Sequence, residues 1–436
     1  MEQAGAPEPQ SSVLLDFLRR AVAIERREVS AVLGSFLTFG LVLGGYYLIR
    51  PVRENISAEA TADQRQLWFL LVFLVMLAAV PVFAWIVAKL SRAAVLPGMY
   101  ALFVALMLFF WAALKGNGGG NLGGAFFIFA SVFNLFVVSL FWILMSDLWD
   151  SAQAKRLYGF IAAGGTAGAV AGPFAANGLV PFVGQDNLLL IAAIVFSVAA
   201  LLSIWLRRVA GGAHNGGEID APPTLRTLLS GAERVLRDSY LLRIAGYVLI
   251  ANLLSTFFYL EQSRLAGETI HDAAERVQFF ASRDLITSVL TVLAQVFLTG
   301  RIVSRFGIGA AAAVLPALTV VGLAVYTAIP ELHVVAAIMV AERVAAFALS
   351  NPSLKVLYTA VDLDERYKAQ NFIDTVVYRG GDALSGAVFN GLTKALGLPL
   401  GAVALASVPV AALWLALSTR FDHALKTRLE EQGRST

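Results

Sequence analysis

The chain has 436 residues, of which 58% are hydrophobic and only 14% charged. A soluble domain would carry roughly a quarter charged residues, so a soluble globular protein is excluded. The net charge of +3 reflects Lys and Arg flanking apolar runs, not a nucleic-acid surface. Cysteine is absent, which removes disulfides, thiolate nucleophiles and cysteine metal sites. His214, His271, His333 and His423 are scattered without metal-ligand spacing.

In chain order, Met1 to Gln10 is polar and contains proline, and no short apolar run precedes a cleavage signal. Leu14 to Arg27 mixes apolar residues with Arg19, Arg20, Arg26 and Arg27, which predicts an amphipathic helix on the membrane surface. Runs without charge such as Leu67–Ala88, Ala93–Leu114 and Leu398–Thr419 are each long enough to cross a hydrocarbon core, which takes about 20 residues. Windows of that length predict twelve spans, near 30–49, 66–88, 93–114, 124–146, 157–180, 187–206, 240–260, 278–299, 308–329, 334–353, 370–393 and 397–419. The polar stretch Arg207 to Ser239 separates the sixth span from the seventh and holds a short predicted helix, Leu225 to Arg237. The expected organisation is an N-terminal segment 1–29, a six-helix bundle 30–206, a linker 207–239, a second six-helix bundle 240–419 and a basic tail 420–436. Lys and Arg concentrate in the loops on the side of both termini and the linker, which predicts that this side is cytoplasmic.

The halves repeat. YYLIRPVREN ends the first span and FYLEQSRLAGE the seventh, while FWILMSDLWDSAQAKRLYGFIAAGG and YTAVDLDERYKAQNFIDTVVYRGGDALSG occupy matching span junctions. Two parallel six-helix halves form an all-α membrane protein of major-facilitator architecture. The apolar stretches of spans three, six, nine and twelve carry no charge, as lipid-facing helices should. Arg50, Arg53, Arg264, Arg343, Lys355 and Arg379 sit on the other spans and could grip phosphate or carboxylate oxygens. Glu54, Glu261, Asp284, Glu342, Asp374 and Asp382 match them in number, so the same bases could equally be locked in ion pairs.

Asp374 and Tyr378 share one helix face, and Arg379 and Asp382 are placed for an intrahelical pair. Gly164, Gly165, Gly168 and Gly172, and later Gly380, Gly381 and Gly386, lie inside spans and follow no P-loop pattern. Close helix packing, or bending as the carrier alternates, is their expected role. The loops at Asp147, Asp150, Lys155 and Arg156, and at Asp362, Asp364, Arg366 and Lys368, place acids before bases in both halves, as an interdomain salt-bridge gate would. No nucleophile–base or metal constellation appears, so no enzyme and no cofactor is expected.

The two junction segments resemble the ATP/ADP translocase family of plastids and obligate intracellular bacteria, with its "PLDEE-K-KGKA-D" and "FW-…-EAKR-YP-FG" patterns. LVLGGYYLIRPVREN is similar to that family's first-span ending, and NLLSTFFYLEQSR to its seventh-span "INLVE--WK". The resemblance implies nucleotide antiport by a monomer in the bacterial cytoplasmic membrane, with an anionic small-molecule substrate, a lipid surround and no nucleic-acid partner. It assigns substrate contacts to Arg50, Arg53, Glu261, Arg264 and Asp374. Gln370 and Arg379 stand where the family pattern has Lys, and Arg264 replaces another Lys, which keeps or removes charge but alters geometry. A proton-coupled carrier of another organic anion or lipid-like solute is the alternative, and a membrane anchor without transport a third.

Overall fold

A computed structural model of the chain describes residues 24–25, 27–89, 92–115, 121–209 and 225–431. The surface helix expected over 14–27 lies outside the described residues except for its last positions. So do residues 210–224 of the linker and 432–436 of the basic tail.

Among the described residues the chain is helical throughout. Six helices form the first half: α1 (Val29–Glu59), α2 (Ala62–Lys89), α3 (Arg92–Lys115), α4 (Asn121–Leu148), α5 (Ser151–Val183) and α6 (Asn187–Val209). The linker helix α7 (Leu225–Arg237) follows. The second half holds α8 (Ser239–Thr269), α9 (Ala273–Ala294), α10 (Gly300–Ala328), α11 (Leu332–Ala345), α12 (Asn351–Leu357), α13 (Leu363–Phe372), α14 (Tyr378–Asn390) and α15 (Leu400–Ser418), and α16 (Phe421–Glu431) closes the chain. The helices run past the expected span limits because polar end residues stay helical where hydropathy windows stop. α1, for example, continues through Arg50, Arg53 and Glu54 to Glu59.

Among the described residues, ten helical stretches are long and apolar enough to cross a membrane. One of them, Ala273–Ala328, is broken at Gly307, whose φ of +87° is foreign to a helix. There the Ile308 N–H donates to the Asp422 carboxylate at 2.8 Å, so α16 caps the ninth span. The eleventh span, α13 through α14, is set apart by Asp374, Arg379 and Asp382 within its membrane segment. With these two adjustments the twelve expected spans are present. Spans eight, ten and eleven each contain a π turn, at Gln295–Thr299, Ala346–Ser350 and Ile373–Val377.

Each half has its own apolar core, built on α1, α4 and α6 in the first and on α8, α10 and α15 in the second. The first half is drawn tight by glycine. A Cβ on Gly164 would lie 2.1 Å from the Phe36 carbonyl oxygen, one on Gly168 2.1 Å from that of Gly40, and one on Gly172 2.5 Å from that of Gly44. These three glycines, four residues apart on α5, let it lie against the backbone of α1, the small-residue packing used inside membranes. A backbone neighbour cannot rotate away. We therefore expect Gly168→Val to destabilise the protein by about 1–3 kcal/mol, seen as a lowered melting temperature of the detergent-purified protein. Gly159→Val, at a position with open space around it, serves as the control.

The halves meet through α5 against α9 and α2 against α14. The end of the molecule away from the linker is sealed. Arg276 of α9 bonds Glu59 and, at 2.6 Å, Asn55 of α1. Ser57 meets Ser263 at 3.3 Å, Lys394 pairs with Asp63, and Asn390 bonds Gln66. A Cβ on Gly267 would strike the Ala58 carbonyl at 2.3 Å, so the ends of α1 and α8 are in backbone contact.

Candidate functional site

A cavity of about 610 Å³ lies between the halves, within the usual range of small-molecule sites. Its walls carry five bases, Arg50, Arg53, Arg343, Lys355 and Arg379, and three acids, Glu342, Asp374 and Asp382. Toward the sealed end the charges form one network. Asp284 of α9, with a fully buried side chain, accepts from Arg283 at 2.7 Å and pairs with Arg50 at 3.3 Å and Arg343 at 3.5 Å. Glu54, equally buried, pairs with Arg53 at 2.6 Å and Arg50 at 3.6 Å. Four guanidiniums thus share two carboxylates, and the network carries a formal excess of two positive charges. Arg343 has the most exposed side chain of the four, at 23%.

Toward the linker end, Lys355 and Asp374 form a 3.2 Å pair with both side chains more than half exposed, 57% and 52%. These residues lie within membrane spans, so their exposure is to the cavity. Exposed charges near the linker and buried ones near the far end define a cavity open toward the linker. Arg379 pairs with Asp382 at 3.3 Å, and Thr256 also donates to Asp382 at 3.1 Å. Aromatic rings support the bases: Arg50 lies 5.5 Å from the Tyr47 centroid, Arg53 5.3 Å from Phe127, Arg379 5.2 Å from Tyr378 and Lys355 5.9 Å from Tyr358. Such cation–π contacts hold a cation without neutralising it.

Of the eight residues expected to contact substrate, Arg50, Arg53, Arg343, Lys355, Asp374 and Arg379 are brought together around the cavity. Glu261 and Arg264 are not among its lining. They pair with each other at 3.0 Å, Tyr326 donates to Glu261, and Arg264 also bonds Glu268, so they brace the second half near the sealed end. The π turn at Ile373–Val377 shifts the register of span eleven, and Asp374, Tyr378, Arg379 and Asp382 all line the cavity. Such turns recur at functional sites. Sequence reasoning passed over Arg283 and the aromatic wall as site residues. The Arg283–Asp284 doublet inside an apolar span was the available signal.

The expected gate residues are placed as follows. Asp147 accepts from Arg207 at 2.7 Å. Asp150 caps α5 through Ala152 and Gln153, Lys155 is exposed, and Arg156 bonds Glu28 at 2.5 Å. All of these contacts stay within the first half. In the second half the Asp362 carbonyl accepts from the Arg366 N–H. The Lys368 carbonyl abuts Gly231 of the linker helix, and Arg234 of that helix pairs with Glu365. The Asp364 side chain lies outside the described residues. The linker helix is therefore docked on the loop of the second half.

Burial pushes the Glu28 carboxyl up, but the hydrogen bonds from Arg156, the Glu25 N–H and Gln153 outweigh it, and the net shift is below the ordinary 4.5. A depressed acid contributes stability that is present above its unfolded value and lost as pH falls through its folded one. Acidification below about 4.5 is thus expected to loosen the start of α1. The melting temperature of Glu28→Gln should fall less steeply than that of the wild type over the same acid range.

The sequence model described as Major Facilitator Superfamily matches residues 33–386. No curated protein sequence matches. Among solved structures, the chain is similar to the POT family transporter PepTSo, with a TM-score of 0.65 at 12% identity, covering 92% of this chain and 99% of that one. It is similar to a bacterial homologue of the iron transporter ferroportin in an inward-facing state, with a TM-score of 0.63 at 15% identity, covering 91% and 99%. The nucleoside transporter NupG gives a TM-score of 0.58 at 16% identity, covering 92% and 100%. At these identities the likeness is one of fold.

Proposed function

As the chain belongs to the Major Facilitator Superfamily, we propose that its central cavity carries phosphorylated organic anions, nucleotides foremost, across a bacterial cytoplasmic membrane by alternating access. The observation that carries this reading is the excess of guanidiniums over carboxylates around Asp284 and Glu54. Arginine forks match phosphate oxygens in pairs, and such contacts are strong where water is scarce. Arg50 and Arg343 would turn from Asp284 to the phosphate, while Asp284 would hold them in the empty state. Aromatic rings such as Tyr47, Phe127 and Tyr378 offer faces for a base. With the linker and both termini in the cytoplasm, the open mouth would face inward. Closing it would bring Asp147, Arg156 and the Asp362–Lys368 loop into new, interdomain pairs. The protein would act as a monomer.

An apolar lateral groove of about 1040 Å³ between spans eight, nine and ten, with Arg283 in its wall, favours a second reading, an amphipathic phosphorylated solute. Counterflow of labelled ATP against internal ADP in proteoliposomes decides between them. Exchange above empty liposomes supports the nucleotide reading, and its absence, with phosphorylated lipid-like solutes active, replaces it with the second.

A further inference from the structure

Glu342 stands apart from every other acid in or behind the cavity. Glu54, Asp284, Asp374 and Asp382 each lie in an ion pair. Glu342 lines the cavity, is 5% exposed, and among the described residues has one bonding partner, the neutral Thr319 hydroxyl of span nine at 2.5 Å. That hydroxyl also reaches the Leu315 carbonyl at 3.1 Å. Thr319 has a single hydrogen and faces two acceptor oxygens. The arrangement is complete when Thr319 donates to Leu315 and the carboxyl supplies the second hydrogen.

The surroundings agree. From span seven the polar groups lining the same cavity are Tyr247, Asn252, Ser255, Thr256 and Tyr259, none of them a base, while Glu261 and Arg264 are committed to each other. From span eight they are Arg283, held by Asp284 and Gln262, and Asp284 itself, held by three arginines. Span nine adds Tyr326, which donates to Glu261. On its own helix, the neighbouring Arg343 extends to Asp284 instead. A buried carboxylate without a base is costly, and such a group neutralises itself.

We propose that Glu342 is a proton-binding site, loaded in this conformation from the cavity and emptied when span ten moves. The geometry points to a carrier that couples anion movement to protons. Arg343 follows Glu342 directly, so a shift of span ten that engages Arg343 with an anion also moves the carboxyl away from Thr319. The coupling step rests on the transport reading above, but the proton site does not.

Infrared spectroscopy of the purified protein in lipid nanodiscs tests the site without substrate. At neutral pH the wild type should show the C=O absorption of a protonated carboxyl. Glu342→Gln should lack it, and Thr319→Val, which keeps the acid and removes its partner, should shift it toward the frequency of a free carboxyl. Absence of the band in the wild type, or its survival unchanged in both variants, overturns the proposal. In proteoliposomes, the accumulation driven by a pH gradient, taken relative to ATP/ADP counterflow of the same preparation, should fall at least tenfold in Glu342→Gln. Accumulation equal to wild type refutes the coupling. Failure of wild-type counterflow speaks against the nucleotide reading and leaves the infrared result standing.

Discussion

Asp284→Asn is expected to abolish transport and to destabilise the protein by about 3–5 kcal/mol, the range for breaking a buried charge cluster by removing one partner. The Asp284 side chain is fully buried and is the shared counter-ion of Arg50, Arg283 and Arg343. Neutralising it leaves those three arginines, with Arg53 nearby, facing the single buried carboxylate of Glu54. The test is a double-mutant cycle with Arg283→Gln, read by melting temperature in detergent. Arg283 is almost wholly committed to Asp284 and Gln262, so the second change should recover part of the stability lost in the first. Additive losses would show that the pair does not interact as the geometry requires. Transport should stay absent in the double variant, because Arg50 and Arg343 would still lack the acid that holds them in place.

Arg343→Gln should instead leave the fold intact and weaken binding. Its side chain is 23% exposed and its contact with Asp284, at 3.5 Å, is the longest of the three. Losing it costs the empty protein little. A hydrogen bond to a charged partner contributes about 1.5–3 kcal/mol, so nucleotide affinity should fall on the order of 10- to 150-fold. Calorimetric titration of wild type and variant with ADP measures this directly. Arg343→Lys should restore the charge but only part of the affinity, since a lysine cannot match the guanidinium fork. Equal affinity for ADP in wild type and Arg343→Gln would place the phosphate elsewhere.

The helices were legible because bilayer thickness dictates their length, and the glycines of α5 because packing against α1 needs small residues at that spacing. Pairs within one helix, Arg379–Asp382 and Glu261–Arg264, could be read from a separation of three residues. The Asp284 hub could not. Its partners Arg50 and Arg343 lie on other helices, and only the docking of α1, α9 and α11 brings them together. The same limit applies to Asp374, which has no base one turn away yet meets Lys355 from span ten. Glu261 and Arg264 carry the right charges but are absent from the cavity wall that α8 builds with Asn252, Ser255, Thr256 and Tyr259; Glu261, two residues after Tyr259, lies on the other face of the helix. The π turns, which set the facing of span eleven, leave no mark in composition. The sealing contacts at the far end, such as Arg276 with Glu59, are not legible in the sequence because their residues lie at helix ends, where charge is ordinary.

Binding in the cavity should require phosphate groups on the ligand. A thermal-shift titration of the purified wild type with ATP, ADP, AMP and adenosine tests it most directly, because a ligand that binds only the folded protein raises its melting temperature by mass action. The melting temperature should rise saturably with ATP and ADP, less with AMP and not with adenosine, and in Arg343→Gln the ATP and ADP curves should move to roughly 10- to 150-fold higher concentration. A rise with adenosine equal to that with ATP, or no rise with any of the phosphorylated compounds, would contradict it.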